Sequence, residues 1–367
     1  MKYNKLYVFS DPNVQLFEEY LDFNDIKYTV IDCWDHDDPS FIIPDQLLLE
    51  TNACLIISQT YLNDLSRVDK CKKTVTEFLQ KNTLITACDT GDAFEDFHFY
   101  GTSTGTELLL CLKELDSIIP KDSLQIILDN KATDDNWLKL FNNIKCVDSP
   151  IIERCLTPME RIRGAEISKK NCKYDFLLTT VMKSHRPHRQ LLKNKINYRD
   201  QLKNKGYVVF NVNRAESDHW VGDFPKNKTW HGWLDAHPSM DLYKDCWLEL
   251  IPETLCNNYH YITEKTTKAI ITKTPFLIVS TPGYLLFLRD MGFKTFSPYI
   301  DESYDLEQDL DKRIDMVLDS LENVTKNGAE KCFLNVQHIL DHNYKKFAEL
   351  CGKWHHDKDM FVKNQLQ

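Results

Sequence analysis

Short apolar runs rich in β-branched residues alternate with stretches of helical periodicity through the first half of the chain. The predicted strands are residues 6–10, 28–31, 53–58, 83–87 and 124–128, and predicted helical segments lie at 14–23, 75–79 and 106–115. Short strands that are apolar throughout and separated by helices are typical of a parallel sheet covered on both faces. The first half therefore indicates a Rossmann-like βα domain.

A second series of strands and helices follows an irregular, proline-containing stretch at 148–171. Strands are predicted at 174–181 and 207–212, and later helices at 305–321 and 329–351. We therefore expect an α/β protein with an N-terminal domain at 1–160, a C-terminal domain at 161–345, and a C-terminal helix and tail at 346–367.

The first helix of the second series has clear boundary signals. Pro187 suits the first helical position, because its missing N–H would have no partner there. The buried side of the helix would carry Leu192, Ile196 and Leu202, and Gly206 would cap its end.

Composition narrows the function classes. The 367 residues carry a net charge of −10, whereas a nucleic-acid-binding protein is more often basic, so we expect no nucleic-acid partner. No apolar run has the form of a signal peptide or the length of a membrane span, which predicts a cytoplasmic protein. The 12 cysteines show no CxxC spacing, which argues against a zinc ribbon.

The stretch at 243–283 carries the most specific pattern. Thr263 is suited to cap a helix that ends before Thr274 and Pro275. Such a helix N-terminus attracts anions, Lys265 beside it can neutralise a diphosphate, and Glu264 can accept hydrogen bonds from ribose hydroxyls. The alternative is an ordinary first-turn acid with a solvated lysine.

A basic turn precedes this stretch. Arg186 and Arg189 flank a predicted helix start, which favours an anion, and they could brace a diphosphate that gains charge as it leaves. The alternative is a solvated basic turn. We interpret neither His185 nor His188 as a metal ligand.

The order of these elements resembles the α1,3-fucosyltransferase family across about the last half of the chain. The matching elements are Tyr243-Lys244, Leu248 to Pro252, Glu253, Tyr261 to Lys265, Ala269 and Pro275, with Lys183 to Arg189 upstream. The chain departs from the family pattern at Thr254-Leu255, where the family has Asn-Ser, and at 272–274, where it usually has a glycine. The resemblance therefore supports a nucleotide-sugar site better than it supports fucose.

The resemblance implies a GT-B-like fold with two Rossmann-like domains facing a cleft. It implies an inverting glycosyltransferase that moves a sugar, possibly fucose from GDP-fucose, to a glycan or other hydroxyl acceptor without a metal or other cofactor. The implied donor-binding residues are Arg186, Arg189, Glu253, Tyr261, Thr263, Glu264 and Lys265, and Arg186 would also act in catalysis. The alternative is a catalytically inactive GT-B-like protein that binds nucleotides or glycans.

An inverting transfer needs a base, usually a carboxylate, to deprotonate the acceptor. Asp11 follows the first predicted strand, and Asp89 and Asp92 follow the fourth. Each is a candidate base and none can be singled out, and the residue type at each position favours a turn or capping role.

Other patterns have simpler explanations. Asp35 to Asp38 contains a DxD motif in a polar turn, and His338 and His342 have a metal-compatible spacing that is better explained as a surface pair. Trp230 and Trp233 could stack on a sugar ring or hold a loop in place. An epimerase is disfavoured because no GxGxxG follows the first strand.

Overall fold

The computed structural model describes the backbone of residues 2–9, 21–22, 24–31, 41–58, 65, 68–88, 103–128, 140–148, 169–181, 186–211, 243–253, 256, 260 and 262–366. It describes the side chains of the same residues except 58, 87–88, 103–109, 127–128, 148, 181, 209, 211, 264, 351, 354–359, 361–362 and 365.

The chain divides into two compact units. The first unit comprises Met1–Ile151 and Trp354–Gln367, and the second unit comprises Ile152–Lys353. The boundaries at residues 160 and 345 stay predictions.

The first unit contains a six-stranded parallel sheet. Its strands are β1 (Lys5–Phe9), β2 (Thr29–Ile31), β3 (Ala53–Ser58), β4 (Thr83–Cys88), β5 (Leu124–Leu128) and β6 (Lys145–Asp148), in the order β2-β1-β3-β4-β5-β6. Helices α1 (Asp45–Leu48), α2 (Asp69–Leu79) and α3 (Ser103–Ile118) accompany it. Apolar side chains from strands and helices form one buried cluster that includes Leu55, Val75, Phe78, Leu112 and Ile126. The sequence reasoning had missed β6.

The second unit contains a four-stranded parallel sheet. Its strands are β7 (Tyr174–Val181), β8 (Gly206–Asn211), β9 (Cys246–Pro252) and β10 (Phe276–Val279), in the order β10-β9-β7-β8. From β7 the chain moves to β8 on one side, and it later returns to β9 and β10 on the other. The topological switch point of this sheet therefore lies between β7 and β9, which is where doubly wound folds bind ligands.

The described residues of the second unit's part of the chain form helices α4 to α10. They are α4 (Pro187–Asn197), α5 (Asp200–Lys203), α6 (Glu264–Ile271), α7 (Tyr284–Asp290), α8 (Leu310–Asn327), α9 (Ala329–Asn335) and α10 (Gln337–Leu366), with a 3₁₀ turn at Ser303–Leu306. The last part of α10 belongs to the first unit, where Lys2 N donates a hydrogen bond to Leu366 O at 3.1 Å. Two Rossmann-like α/β units with parallel sheets confirm the predicted fold class.

The boundaries of α4 show what local sequence can predict. Pro187 does occupy the start of the helix, as expected. The prediction that Gly206 caps the helix is wrong, because a short α5 intervenes and Gly206 begins β8. A Cβ on Gly206 would lie 2.3 Å from the ring of Phe176, which pairs with it in the sheet. Gly206 is thus required by packing between neighbouring strands.

Among the helices of the described chain, none is long and apolar enough to cross a bilayer.

Candidate functional site

Three strand-to-helix junctions of the second unit lie at one edge of its sheet, because β7, β9 and β10 are parallel. The junction after β7 carries Arg186 to Arg189, and the junction after β9 carries Glu253 and Thr263. The junction after β10 leads to Tyr284, the first residue of α7. Two of these junctions flank the switch point between β7 and β9, so the structure places the predicted basic turn beside the predicted capped helix.

Glu253 follows β9 and is fully buried. Its Oε1 accepts hydrogen bonds from Thr263 N at 3.2 Å, Thr266 Oγ1 at 2.6 Å and Tyr284 OH at 3.2 Å. Its Oε2 accepts a hydrogen bond from Thr263 Oγ1 at 2.5 Å. These contacts tie the end of β9 to the start of α6 and to Tyr284 of α7.

The N-terminus of α6 is built around Thr263. This residue is the N-cap, as predicted, and its hydroxyl oxygen accepts a hydrogen bond from Lys265 N at 3.3 Å. In a capping box, the backbone N–H of the N-cap residue donates to a carboxylate three residues later. Here that later position is Thr266, and the carboxylate that accepts from Thr263 N is Glu253, ten residues earlier. The helix start is therefore anchored to the end of β9.

Lys265 extends from the first turn of this helix. Its side chain is partly buried, and its Nζ lies 3.3 Å from Thr263 Oγ1. Because the single Thr263 hydroxyl proton points at Glu253, the lone pairs of the same oxygen face both nitrogen atoms of Lys265. Glu253 thus orients the cap, and the cap in turn orients Lys265.

The two arginines of the predicted basic turn are buried, with 2% of Arg186 and 4% of Arg189 exposed. Arg186 is the residue before α4, and Arg189 lies in its first turn. The alternative of a solvated surface turn is therefore wrong for both side chains.

His188 lies between these arginines and is 2% exposed. Burial, which is the largest cause, and the positive charges of Arg189, Arg186 and Lys265 together lower its pKa to about 3, against a hydrogen bond to Glu253 O that raises it. The imidazole is therefore neutral at neutral pH. Since its Nε2 lies 2.9 Å from the Glu253 carbonyl oxygen, Nε2 must carry the proton and donate it.

The positively charged residues that lower the pKa of His188 come from two different junctions. Charges from two junctions, Arg186 and Arg189 after β7 and Lys265 after β9, act on one imidazole. A neutral ring at this point adds no fourth positive charge to the group. Three cationic side chains from two junctions therefore lie within electrostatic reach of their common neighbour, His188, at the switch point.

The third junction is different. Gly283, at φ +80°, precedes α7, and the Asp305 carboxylate accepts hydrogen bonds from Leu285 N at 2.9 Å and Leu286 N at 3.3 Å. Burial raises the pKa of Asp305, and these two backbone hydrogen bonds oppose that rise. The N-terminus of α7 therefore already holds an anion supplied by the protein.

A second buried carboxyl group, Glu249, lies in the middle of β9. Its Oε1 accepts a hydrogen bond from Tyr243 OH at 2.9 Å. Burial raises its pKa to about 7, although the positive charges of Lys268 and Lys169 act to lower it. Tyr243, part of the family-like pattern, is thus bonded to the strand that leads into the site.

Several predicted site residues cannot be placed. Asp11, Asp89, Asp92 and Tyr261 lie outside the described residues, and so do Asp35, Asp37, Trp230 and Trp233. Glu264 is the first residue of α6, and its side chain lies outside the description.

The two histidines with metal-compatible spacing contact residues other than those of this site. His338 is exposed and contacts the Tyr299 ring, and His342 Nε2 lies 3.0 Å from Gly292 O. Within the described ranges, no group of three or more His, Cys, Asp or Glu residues could hold a metal ion.

Sequence reasoning missed Thr266 and Tyr284 as members of the site. A usable signal existed for Tyr284, because it follows Gly283 directly after the end of β10, at the edge where β9 also ends. For Thr266, the signal is a hydroxyl at the position where a capping box would have an acid.

No protein-family model matches this sequence, and no curated protein matches it significantly. Among solved structures, it is similar to a DNA-modifying beta-glucosyltransferase determined with and without uridine diphosphoglucose, at 11% identity, 98% coverage of both chains and a TM-score of 0.45. A T4 phage BGT in complex with UDP and Mn²⁺ is 12% identical over 98% of this chain and 99% of its own, with a TM-score of 0.44. An alpha1,3-fucosyltransferase with GDP is 10% identical over 95% of this chain and 89% of its own, with a TM-score of 0.32. At such identities and TM-scores, the ligand of this chain has to be inferred from its own residues.

Proposed function

We propose that this protein is a glycosyltransferase of the GT-B type, which moves a sugar from a nucleotide-diphosphate donor to a hydroxyl group of an acceptor. One observation carries the proposal. Arg186, Arg189 and Lys265 lie within electrostatic reach of the buried His188 at the switch point of a doubly wound sheet. A diphosphate has the negative charge that such cations favour.

The donor would bind along the two junctions that flank the switch point. Lys265 and the N-terminus of α6 supply positive charge to the diphosphate, with Arg186 and Arg189 on the other side. We assign the ribose hydroxyls to Glu264 and a place beside the donor to Tyr261, both from the family-like pattern. Glu253 and Thr263 act by holding α6, since Glu253 is fully buried.

In the proposed reaction, an acceptor oxygen forms a bond to the anomeric carbon while the bond from that carbon to the diphosphate oxygen breaks. The bonding electrons leave with the nucleoside diphosphate, whose added negative charge the three cations stabilise. The acceptor proton passes to a carboxylate base, for which Asp11, Asp89 and Asp92 remain the candidates. Attack from the face opposite the leaving group would invert the anomeric configuration.

GDP-fucose is the first donor to test, because the ordered pattern from Lys183 to Pro275 resembles fucosyltransferases. We also propose that a metal is not required, since the fixed cations can neutralise the leaving group. A glycan or another hydroxyl compound would be the acceptor.

The test is a thermal-shift and turnover screen with GDP-, UDP-, ADP- and CMP-sugars, with and without EDTA. We expect one nucleotide class to raise the melting temperature and its sugar to be hydrolysed or transferred. Lys265→Ala should abolish the shift, and the matched control Lys331→Ala, on the exposed side of α9, should keep it.

Two results would change the conclusion. If no nucleotide sugar of the panel shifts or reacts, the proposal fails. If nucleotide binds without any turnover in the presence of acceptor glycans, the protein is a nucleotide-binding module that has kept the fold.

A further inference from the structure

The junctions after β7, β9 and β10, at the carboxyl edge of the second unit's sheet, meet at Glu253. His188, from the junction after β7, donates to its backbone carbonyl oxygen. Thr263 and Thr266, from the junction after β9, donate to its carboxylate. Tyr284, from the junction after β10, reaches the same carboxylate from α7. One residue therefore joins elements that lie up to 96 positions apart in the chain (residues 188 to 284).

The hydroxyl protons around Glu253 form an ordered set. Thr266 Oγ1 lies 2.6 Å from Glu253 Oε1, so its single proton points at the carboxylate. Tyr284 OH lies 3.2 Å from the same oxygen and 3.1 Å from Thr266 Oγ1, so its proton can serve either acceptor. With either acceptor, Tyr284 OH donates a hydrogen bond to the Thr266–Glu253 pair. Connected hydrogen bonds of this kind strengthen one another.

Tyr284 is well placed to keep this geometry fixed. Its side chain is fully buried, and its ring packs edge-on against Phe287 with centroids 6.0 Å apart. It stands at the start of α7, whose N-terminus is held by Asp305. The Tyr284 hydroxyl therefore extends from α7, a helix whose N-terminus is held in place by Asp305.

We propose that Tyr284, acting through Thr266 and Glu253, is a positioning residue for the donor site. It holds the N-cap and first turn of α6 so that Lys265 meets the donor's diphosphate. This inference rests on the proposed function for its ligand, and on the network alone for its structural part. The proposed role of Tyr284 involves no contact with the donor or the acceptor.

The test compares Tyr284→Phe with Tyr304→Phe. Both side chains are buried, both substitutions remove one hydroxyl, and the Tyr304 hydroxyl bonds to the backbone of Ile278 instead of Glu253. The first measurement is amide hydrogen exchange of residues 263–267 without any nucleotide. The second is the affinity for GDP and UDP, together with KM and kcat for the donor found in the screen.

In Tyr284→Phe we expect faster exchange at 263–267 and about tenfold weaker nucleotide binding, the effect of losing one hydrogen bond to a carboxylate. Donor KM should rise by a similar factor while acceptor KM stays unchanged. Tyr304→Phe should change none of these quantities. A general loss of packing would instead affect both variants and both substrates.

Exchange at 263–267 that is unchanged in Tyr284→Phe overturns the inference, whatever the ligand. Faster exchange with unchanged nucleotide affinity overturns it as well, because the helix end would then have no influence on the donor. If wild-type protein binds no nucleotide at all, the proposed function fails, and the exchange result alone decides whether Tyr284 positions α6.

Discussion

Acid should destabilise the second unit through a single buried histidine. His188 is 2% exposed, and burial, with the nearby Arg189, Arg186 and Lys265, lowers its pKa from 6.5 to about 3. In the unfolded chain the same imidazole is exposed to solvent and titrates near its ordinary pKa of about 6.5. The substitution that removes the effect is His188→Gln, because a glutamine amide can donate the same hydrogen bond to Glu253 O and does not titrate.

The magnitude follows from proton linkage. Below pH 6.5 the unfolded chain binds a proton at His188 and the folded protein does not, so stability falls as pH falls, until the folded pKa is reached. Each pH unit in this window costs about 1.4 kcal/mol. Between about pH 7.5 and about pH 4.5, His188 alone should remove about 2.7 kcal/mol from the free energy of unfolding.

The assay is urea unfolding at 25 °C at several pH values in that range. We expect the free energy of unfolding of wild-type protein to fall about 2.7 kcal/mol further than that of His188→Gln across the window. The matched control is His342→Gln. His342 Nε2, like His188 Nε2, lies within hydrogen-bonding distance of a backbone carbonyl oxygen, but the residue is only partly buried.

Parallel pH profiles for wild type and His188→Gln would refute the reasoning. The imidazole would then titrate alike in the folded and unfolded chains, and it would be neither buried nor close to the three cations. The proposed diphosphate site would lose that support. If His188→Gln shows a flatter pH profile and is in addition less stable by a constant amount at every pH, the constant loss changes only the intercept. The conclusion about the cations then stays intact.

Three further outcomes can be measured. The pKa of Glu249 is raised from 4.5 to about 7, so its contribution to stability is present below pH 4.5 and is lost as pH rises through 7. The free energy of unfolding of wild type should therefore fall by about 2.5 kcal/mol more than that of Glu249→Gln between about pH 5 and about pH 8. Thr263→Ala should cost about 1–2 kcal/mol of stability by removing the N-cap, and Thr263→Ser should restore most of it, so equal losses would contradict the role of the hydroxyl. Gly206→Ala should cost about 1–3 kcal/mol because its Cβ would meet the Phe176 ring, whereas Gly352→Ala, which meets no atom within 4 Å in a helix, should stabilise by about 0.5–1 kcal/mol in the same denaturation series.

The parts of the fold that sequence predicts well are those set by local patterns. The predicted strands 53–58, 124–128 and 174–181 match β3, β5 and β7 to the residue. Pro187 and Thr263 mark the two helix starts that flank the site, because backbone chemistry restricts which residues begin a helix. The helix starts themselves are confirmed, and the anion site placed beside them stays a prediction.

What sequence does not show is contact between distant segments. Gly206 lies close after a helix and looks like a cap, yet the Phe176 ring, 30 residues earlier, explains it. Glu253 and Tyr284 are 31 residues apart, and only the parallel pairing of β9 with β10 brings their junctions together. The neutrality of His188 likewise depends on burial and on charges from another junction, which no spacing rule contains.

The Asp305 carboxylate contacts the N-terminus of α7 directly, whereas the Glu253 carboxylate contacts the residue before α6. This difference bears on which helix end is open to an anionic ligand. Asp305 bonds directly to Leu285 N and Leu286 N, so an incoming anion at α7 would have to displace it. Glu253 instead bonds to Thr263, the residue before α6, and to side-chain hydroxyls behind the helix. Its negative charge therefore braces the helix from the buried side, where it does not compete with a ligand at the first turn. With Lys265 on that turn and the arginines across the switch point, α6 is the helix end at which we propose that the diphosphate binds.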